Sequence, residues 1–140
     1  MNFENSKMYP GLPEYFDNEG RGLYAYLTGA ASWYMLTMIT EVFGVKGDLG
    51  DLVIAPSLLP EQFDEKGSAG LKLEFARKKF EIIMHNPEKK DLRIEQIRRA
   101  VCDEKVVLEP EPEYGVRLRK SVIETLDQKK CHRIDVFFQE

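Results

Sequence analysis

The chain has 140 residues, 43% hydrophobic and 11% aromatic, enough apolar mass for one domain or for a small domain joined to a piece of another, and too much for a disordered segment. Its net charge of −4 argues against a binder of nucleic-acid backbones, which needs clustered Lys and Arg, but not against a local anion site made of backbone amides. Cys102, Cys131 and the two histidines are scattered without metal-ligand spacing, so no metal and no cofactor is expected, and reduced thiols point to the cytoplasm. Met1–Asn18 is polar and punctuated by Pro and Gly, unlike a signal peptide, and the longest apolar stretch, Ala30–Phe43, falls short of the about 20 residues that span a bilayer.

In chain order, Tyr9–Arg21, with Pro10, Gly11, Pro13, Gly20 and Gly22 in and beside it, reads as a loop. A helix comes next over Gly29–Phe43, with Thr28 as N-cap and Gly44 as terminator. Ala31, Tyr34, Met35, Met38, Ile39, Val42 and Phe43 fill one wide face, with Trp33 and Leu36 beside it. A helix apolar over so much of its circumference is expected inside a larger helical assembly, Trp33 included, and left free it should drive self-association.

Strands are expected next at Asp51–Ala55, Leu71–Ala76, Lys79–His85, Leu92–Ile97, Lys105–Leu108 and Arg133–Phe138, with one helical turn at Ser121–Leu126. Short alternating runs of this kind read as a small antiparallel β-sandwich with one wet face on each sheet. Glu109–Glu113 (EPEPE) reads as a stiff exposed connection. The organisation is therefore an α+β chain, with loop and helix over 1–45 and β structure over 46–140.

The sharpest local feature is Tyr26-Leu27-Thr28-Gly29-Ala30-Ala31-Ser32-Trp33. The first amides of a helix have no intrahelical acceptors and lie at the positive end of its dipole. Gly29 lets an anion approach the backbone, and Thr28 adds a hydroxyl donor. An ordinary threonine cap beside a tight glycine would look the same.

Several spaced motifs in order give this feature more weight. They are Pro13-Glu14-Tyr15-Phe16-Asp17 with Gly20-Arg21-Gly22, Leu27-Thr28-Gly29 with Ser32-Trp33, Phe43-Gly44-Val45, Asp51-Leu52-Val53-Ile54, Pro60-Glu61-Gln62-Phe63-Asp64 and His85-Asn86-Pro87. Together they resemble the C-terminal end of the catalytic domain and the region adjoining it in the inverting phosphorylases of glycoside hydrolase family 94. These include the cellobiose and β-1,2-oligoglucan phosphorylases. The likeness covers roughly residues 9–97 and weakens beyond.

The resemblance implies the terminal helix of an (α/α)6 barrel followed by a jelly-roll-like β domain. It implies that Thr28 and Gly29 bind inorganic phosphate, the co-substrate. Glu14, Tyr15 and Arg21, on the loop that precedes this motif, are weaker candidates for lining the substrate cleft. The implied reaction is phosphorolysis of a β-linked gluco-oligosaccharide to α-glucose 1-phosphate. The general acid and the remaining phosphate ligands of such enzymes lie upstream of the matched region. No catalytic residue is therefore assigned here, the chain alone is expected to be inactive, and its expected partners are the oligosaccharide, phosphate and the missing upstream catalytic region.

The competing expectation is a non-catalytic carbohydrate-binding or interaction module built on the β-sandwich. Against it, Phe63, Phe75, Phe80, Tyr114, Phe137 and Phe138 are expected to face a core, leaving no aromatic platform. Glu14 and Asp17 read as solvated loop charges. His85 and His132 read as surface histidines, and Lys78-Lys79 and Lys89-Lys90 as hairpin-turn solvation.

Overall fold

A computed structural model describes residues 13, 15–23, 28–91, 97–111 and 114–138, and of Thr28 the backbone. The chain forms two compact units, Met1–Met38 and Ile39–Glu140. It is mixed α+β, with few helices and mostly antiparallel sheets.

In the first unit, β1 (Tyr15–Phe16) and β2 (Gly22–Leu23) pair antiparallel, Tyr15 opposite Leu23 and Phe16 opposite Gly22. This corrects the expected loop. Asp17 folds the turn on itself: its carboxylate accepts from the amides of Glu19 (3.0 Å) and Arg21 (2.9 Å). Aspartate makes such local turns because its short side chain reaches amides two to four residues on.

Helix α1 spans Thr28–Thr37 and runs directly into a π-helical turn, Met38–Val42. The expected helix was one α element to Phe43. The β-branched Thr37, Ile39, Thr40 and Val42 cluster where α gives way to π, and such side chains crowd the preceding turn. Every residue from Ala31 to Thr37 is exposed. Trp33 is 70% exposed, so no core among the described residues covers it.

The second unit begins with Ile39, Val42 and Phe43 against the β core. Gly44 then turns the chain at φ +64°, where a Cβ would sit 1.9 Å from the Ala55 carbonyl oxygen, so only glycine serves. Among the described residues nine strands come after it: β3 (Val45–Asp48), β4 (Asp51–Ile54), β5 (Ser68–Phe75), β6 (Lys78–His85), β7 (Ile97–Cys102), β8 (Val106–Leu108), β9 (Pro110–Glu111), β10 (Gly115–Leu118) and β11 (Cys131–Phe138), with α2 (Lys120–Thr125) between the last two. One sheet has the order β3-β4-β10-β9 and the other β5-β6-β11-β7-β8. Leu52, Ile54, Val116 and Leu118 of the first join Phe80, Ile82, Met84, Ala100, Ile134 and Val136 of the second in one buried cluster. Two sheets sharing one apolar core are compatible with the small sandwich that the alternation predicts.

Three strand expectations change. The central pair β6–β11 is parallel, Ile82 opposite Ile134, because a long connection rather than a hairpin joins the two strands. Strand β7 lies over Ile97–Cys102, beyond the expected Leu92–Ile97, of which 92–96 are outside the described residues. Pro110 and Glu111 pair with β10 instead of forming a free connection.

The β5–β6 hairpin turns through Ala76 and Arg77, both at positive φ (50° and 61°), which matches the right-handed twist of the strands. Lys78, expected in solvent at this turn, is instead 6% exposed within β6 and donates its ammonium to the Leu126 carbonyl.

Candidate functional site

Two regions compete for the functional site, one in each unit. In the first, Thr28 opens α1 and Gly29 is exposed beside it, at the positive end of the helix dipole. Tyr15 is 63% exposed on β1. Arg21 Nε donates to Asp17 Oδ2 at 2.7 Å, and Arg21 also lies 3.5 Å from Glu19. Hydrogen bonds from the Arg21 amide and guanidinium hold the Asp17 carboxyl below its ordinary range. Asp17 is thus the organiser of this turn and not the free solvated charge expected from sequence. Glu14 lies outside the described residues, as do Tyr26 and Leu27.

In the second unit a cleft of about 730 Å³ opens between the 66–67 and 85–90 segments, β7 and the end of β11. Asn86, 3% exposed, fixes its wall: the side-chain amide donates to the Lys90 carbonyl (2.8 Å), and its oxygen accepts from the Lys90 amide (3.1 Å). The Asn86 amide also donates to the Gly67 carbonyl at 2.7 Å. Gly67 sits at φ +70°, where a Cβ would lie 2.3 Å from the Asn86 carbonyl oxygen, so these two segments lock together only through a glycine.

The floor is a cross-strand row on the wet face of the second sheet. Phe137 lies opposite His85 on β6 and Arg99 on β7. The rings of His85 and Phe137 are stacked, 4.8 Å between centroids and 10° between planes, and the Arg99 guanidinium lies 5.9 Å from the Phe137 centroid. His85 Nε2 donates to Asp135 Oδ1 at 2.7 Å, and Arg133 also donates to Asp135. Burial would raise the Asp135 carboxyl, but the bonds from Arg133 and His85 outweigh it and hold the group low. Phe137 and Tyr114 are 37% and 60% exposed, so neither is the core aromatic that alternation suggested. Phe63 and Phe80 are buried, and Phe75 and Phe138 pack against the core as expected.

A β-bulge aims the arginines. Phe137 faces Arg99, but Phe138 faces Ile97, so Arg98 is an extra residue on β7. In a regular strand Arg98 and Arg99 would point to opposite faces; here both are exposed and both line the cleft.

Two further charge clusters are structural. His132, 3% exposed, bonds through Nδ1 to Asp103 (2.6 Å) and through Nε2 to the Asp127 carbonyl (2.8 Å). An acceptor at each nitrogen favours the protonated ring. Burial opposes that charge, but the Asp103 and Asp127 bonds prevail and raise its pKa. His132 is therefore a buried ion-pair member and not the surface histidine expected, and His85 too has a carboxylate partner. Sequence carried no signal of either, because their partners are 29 and 50 residues away.

Arg117 reaches Asp48 (2.7 Å), Asp51 (3.2 Å) and Glu111 (3.3 Å), tying strands of the first sheet together. Asp51 also accepts from the Lys120 amide at 2.7 Å, which anchors the start of α2. Cys102 is buried and Cys131 exposed, and both are free thiols; burial pushes the Cys102 thiol up to about 11. Among the described residues no group of three or more His, Cys, Asp or Glu is placed to hold a metal, and no helix is long and apolar enough to cross a membrane. No known protein family and no curated protein matches the chain.

Proposed function

We propose that these residues form the C-terminal part of an inverting glycoside phosphorylase, with α1 as the terminal helix of an (α/α)6 barrel and the second unit as its jelly-roll-like β domain. The observation that carries the reading is α1 itself. Thr28 and Gly29 open it, and its apolar Trp33, Tyr34, Met35 and Leu36 are 48–70% exposed. That exposure fits a helix whose neighbours are other barrel helices. The arrangement of helix first and antiparallel sheets second has the same order as the domains that the sequence resemblance implies.

In this reading inorganic phosphate sits on the first amides of α1 and on the Thr28 hydroxyl, with Gly29 leaving room for close approach. A hydrolase needs a second carboxylate to activate water. A phosphorylase needs only to position phosphate and offset its charge, because phosphate is itself the nucleophile. Phosphate oxygen attacks the anomeric carbon, the glycosidic bond breaks, and a general acid supplied by the rest of the barrel protonates the leaving oxygen. The product is α-glucose 1-phosphate. Tyr15, Arg21 and Glu14 belong to the segment that would border the sugar. Two free thiols suit a reducing, cytoplasmic setting.

The test is release of α-glucose 1-phosphate from β-linked gluco-oligosaccharides and phosphate. The 140-residue chain alone should release none. In a chain that also carries the barrel, Thr28→Val should raise KM for phosphate by roughly tenfold or more, since charge-assisted hydrogen bonds contribute about 1.5–3 kcal/mol. Robust product from the isolated chain, or an unchanged phosphate KM in Thr28→Val, would overturn the reading.

A further inference from the structure

We propose that the cleft bounded by Asn86, the bulge at Arg98 and the His85–Phe137 row is a binding site for a small phosphorylated metabolite of sugar-phosphate size. The inference is independent of the phosphorylase reading, because every lining residue belongs to the second unit and none belongs to α1.

Charge is the first argument. The chain has 24 acidic residues against 20 Lys and Arg, yet the cleft is lined by Lys66, Lys90, Arg98 and Arg99 and by one acid, Glu88. Glu88 is already held by Lys90 at 2.6 Å. Lys66, Arg98 and Arg99 have no ion-pair partner among the described residues. Three cations without an ion-pair partner among the described residues thus gather around one hollow, and two guanidinium forks match phosphate oxygens better than a single ammonium does.

The cleft also has built walls. A bulge is required to bring Arg98 and Arg99 to the same side, and the ladder is locally disrupted to make it. The facing wall is rigid, through the buried Asn86 clamp and the glycine-only contact at Gly67. Phe137 stands between the His85 ring and the Arg99 guanidinium and gives the arginine head an aromatic partner.

Size and lining decide the class. A volume of about 730 Å³ lies within the about 300–1,000 Å³ typical of small-molecule sites and is far roomier than one phosphate needs. Pro87, Phe137 and Phe138 give the remaining wall an apolar character suited to the carbon face of a sugar ring. The phosphate would lie at Arg98, Arg99 and Lys66, and the ring against Phe137 and Pro87.

The test is calorimetric titration of the 140-residue chain with three probes: glucose 6-phosphate, inorganic phosphate and glucose. Glucose 6-phosphate should bind most tightly, phosphate more weakly, and glucose least. Replacing both arginines (Arg98→Gln with Arg99→Gln) should weaken glucose 6-phosphate at least about tenfold, and Arg98→Gln alone should weaken it measurably. Both side chains are exposed, so the thermal midpoint checks that the fold is kept. Thr28→Val should leave this affinity unchanged, which separates the cleft from the α1 site. Absence of binding, equal affinity for phosphate and glucose 6-phosphate, or loss in Thr28→Val with retention in the arginine variants would each overturn the proposal.

Discussion

Trp33 on α1 and Phe80 on β6 are both large aromatics in regular elements, yet one is 70% exposed and the other fully buried. The difference is one of partners. Phe80 stands in a strand whose alternate residues, Ile82 and Met84, share a core with a second sheet. The apolar residues of α1 include four consecutive large ones, Trp33 to Leu36, which point around the helix and cannot all be covered by a single layer. Apolar content alone therefore does not fold a segment. A strand needs one covered face, whereas a helix apolar on most sides needs neighbours on most sides.

The largest expected effect sharpens that contrast. Phe80→Ala should cost about 3–5 kcal/mol in urea unfolding, the usual range for emptying a closed aromatic site. Trp33→Ala should change the same midpoint little, within about 0.5 kcal/mol. It should instead reduce concentration-dependent self-association of the chain, read by light scattering. A Trp33→Ala loss as large as that of Phe80→Ala would break the comparison.

The buried His132–Asp103 pair comes next. Either His132→Ala or Asp103→Ala leaves one member unmatched and should cost about 1–3 kcal/mol, below the range of a fully buried pair, because Asp103 remains partly exposed. Its pH dependence has a definite sign. The fold raises the His132 pKa above the ordinary 6.5, so its contribution is whole below about 6.5 and is lost as pH rises through the raised value. The Asp103 carboxyl is held below the ordinary 3.8, by bonds from His132 and the Arg133 amide that overcome the opposing effect of burial. Its contribution is present above that value and is lost on acidification through the lowered one. Unfolding free energy should therefore decline on the alkaline side in the native chain, and the decline should flatten in His132→Ala.

The smallest effect belongs to Arg117. Arg117→Gln should lower the thermal midpoint by less than His132→Ala does, and the difference should shrink in high salt. Its partners Asp48, Asp51 and Glu111 lie near water, and salt screens such charges.

How much of the molecule is legible in its sequence depends on how local each signal is. The alternation in Leu71–Phe75 and Phe80–Met84 carries the β5–β6 hairpin, and Gly44 ends the helical segment as expected. Strand β7 is hidden by the very bulge that aims Arg98 and Arg99, since an extra residue breaks the two-residue period. The parallel β6–β11 pairing, the cleft, and the partners of His85, His132 and Arg117 all depend on residues distant in the chain, for which spacing gives no cue. Lys78 looks like a solvated turn residue for a related reason: its acceptor, the Leu126 carbonyl, is 48 residues away.

Phosphate binding at the start of α1 can be followed at the backbone amide of Gly29 by NMR while inorganic phosphate is added to the 140-residue chain. The Gly29 resonance should move and saturate, and Thr28→Val should greatly weaken the response, independently of any movement at Arg98 and Arg99. A Gly29 amide indifferent to phosphate, or one that responds equally in Thr28→Val, would contradict it.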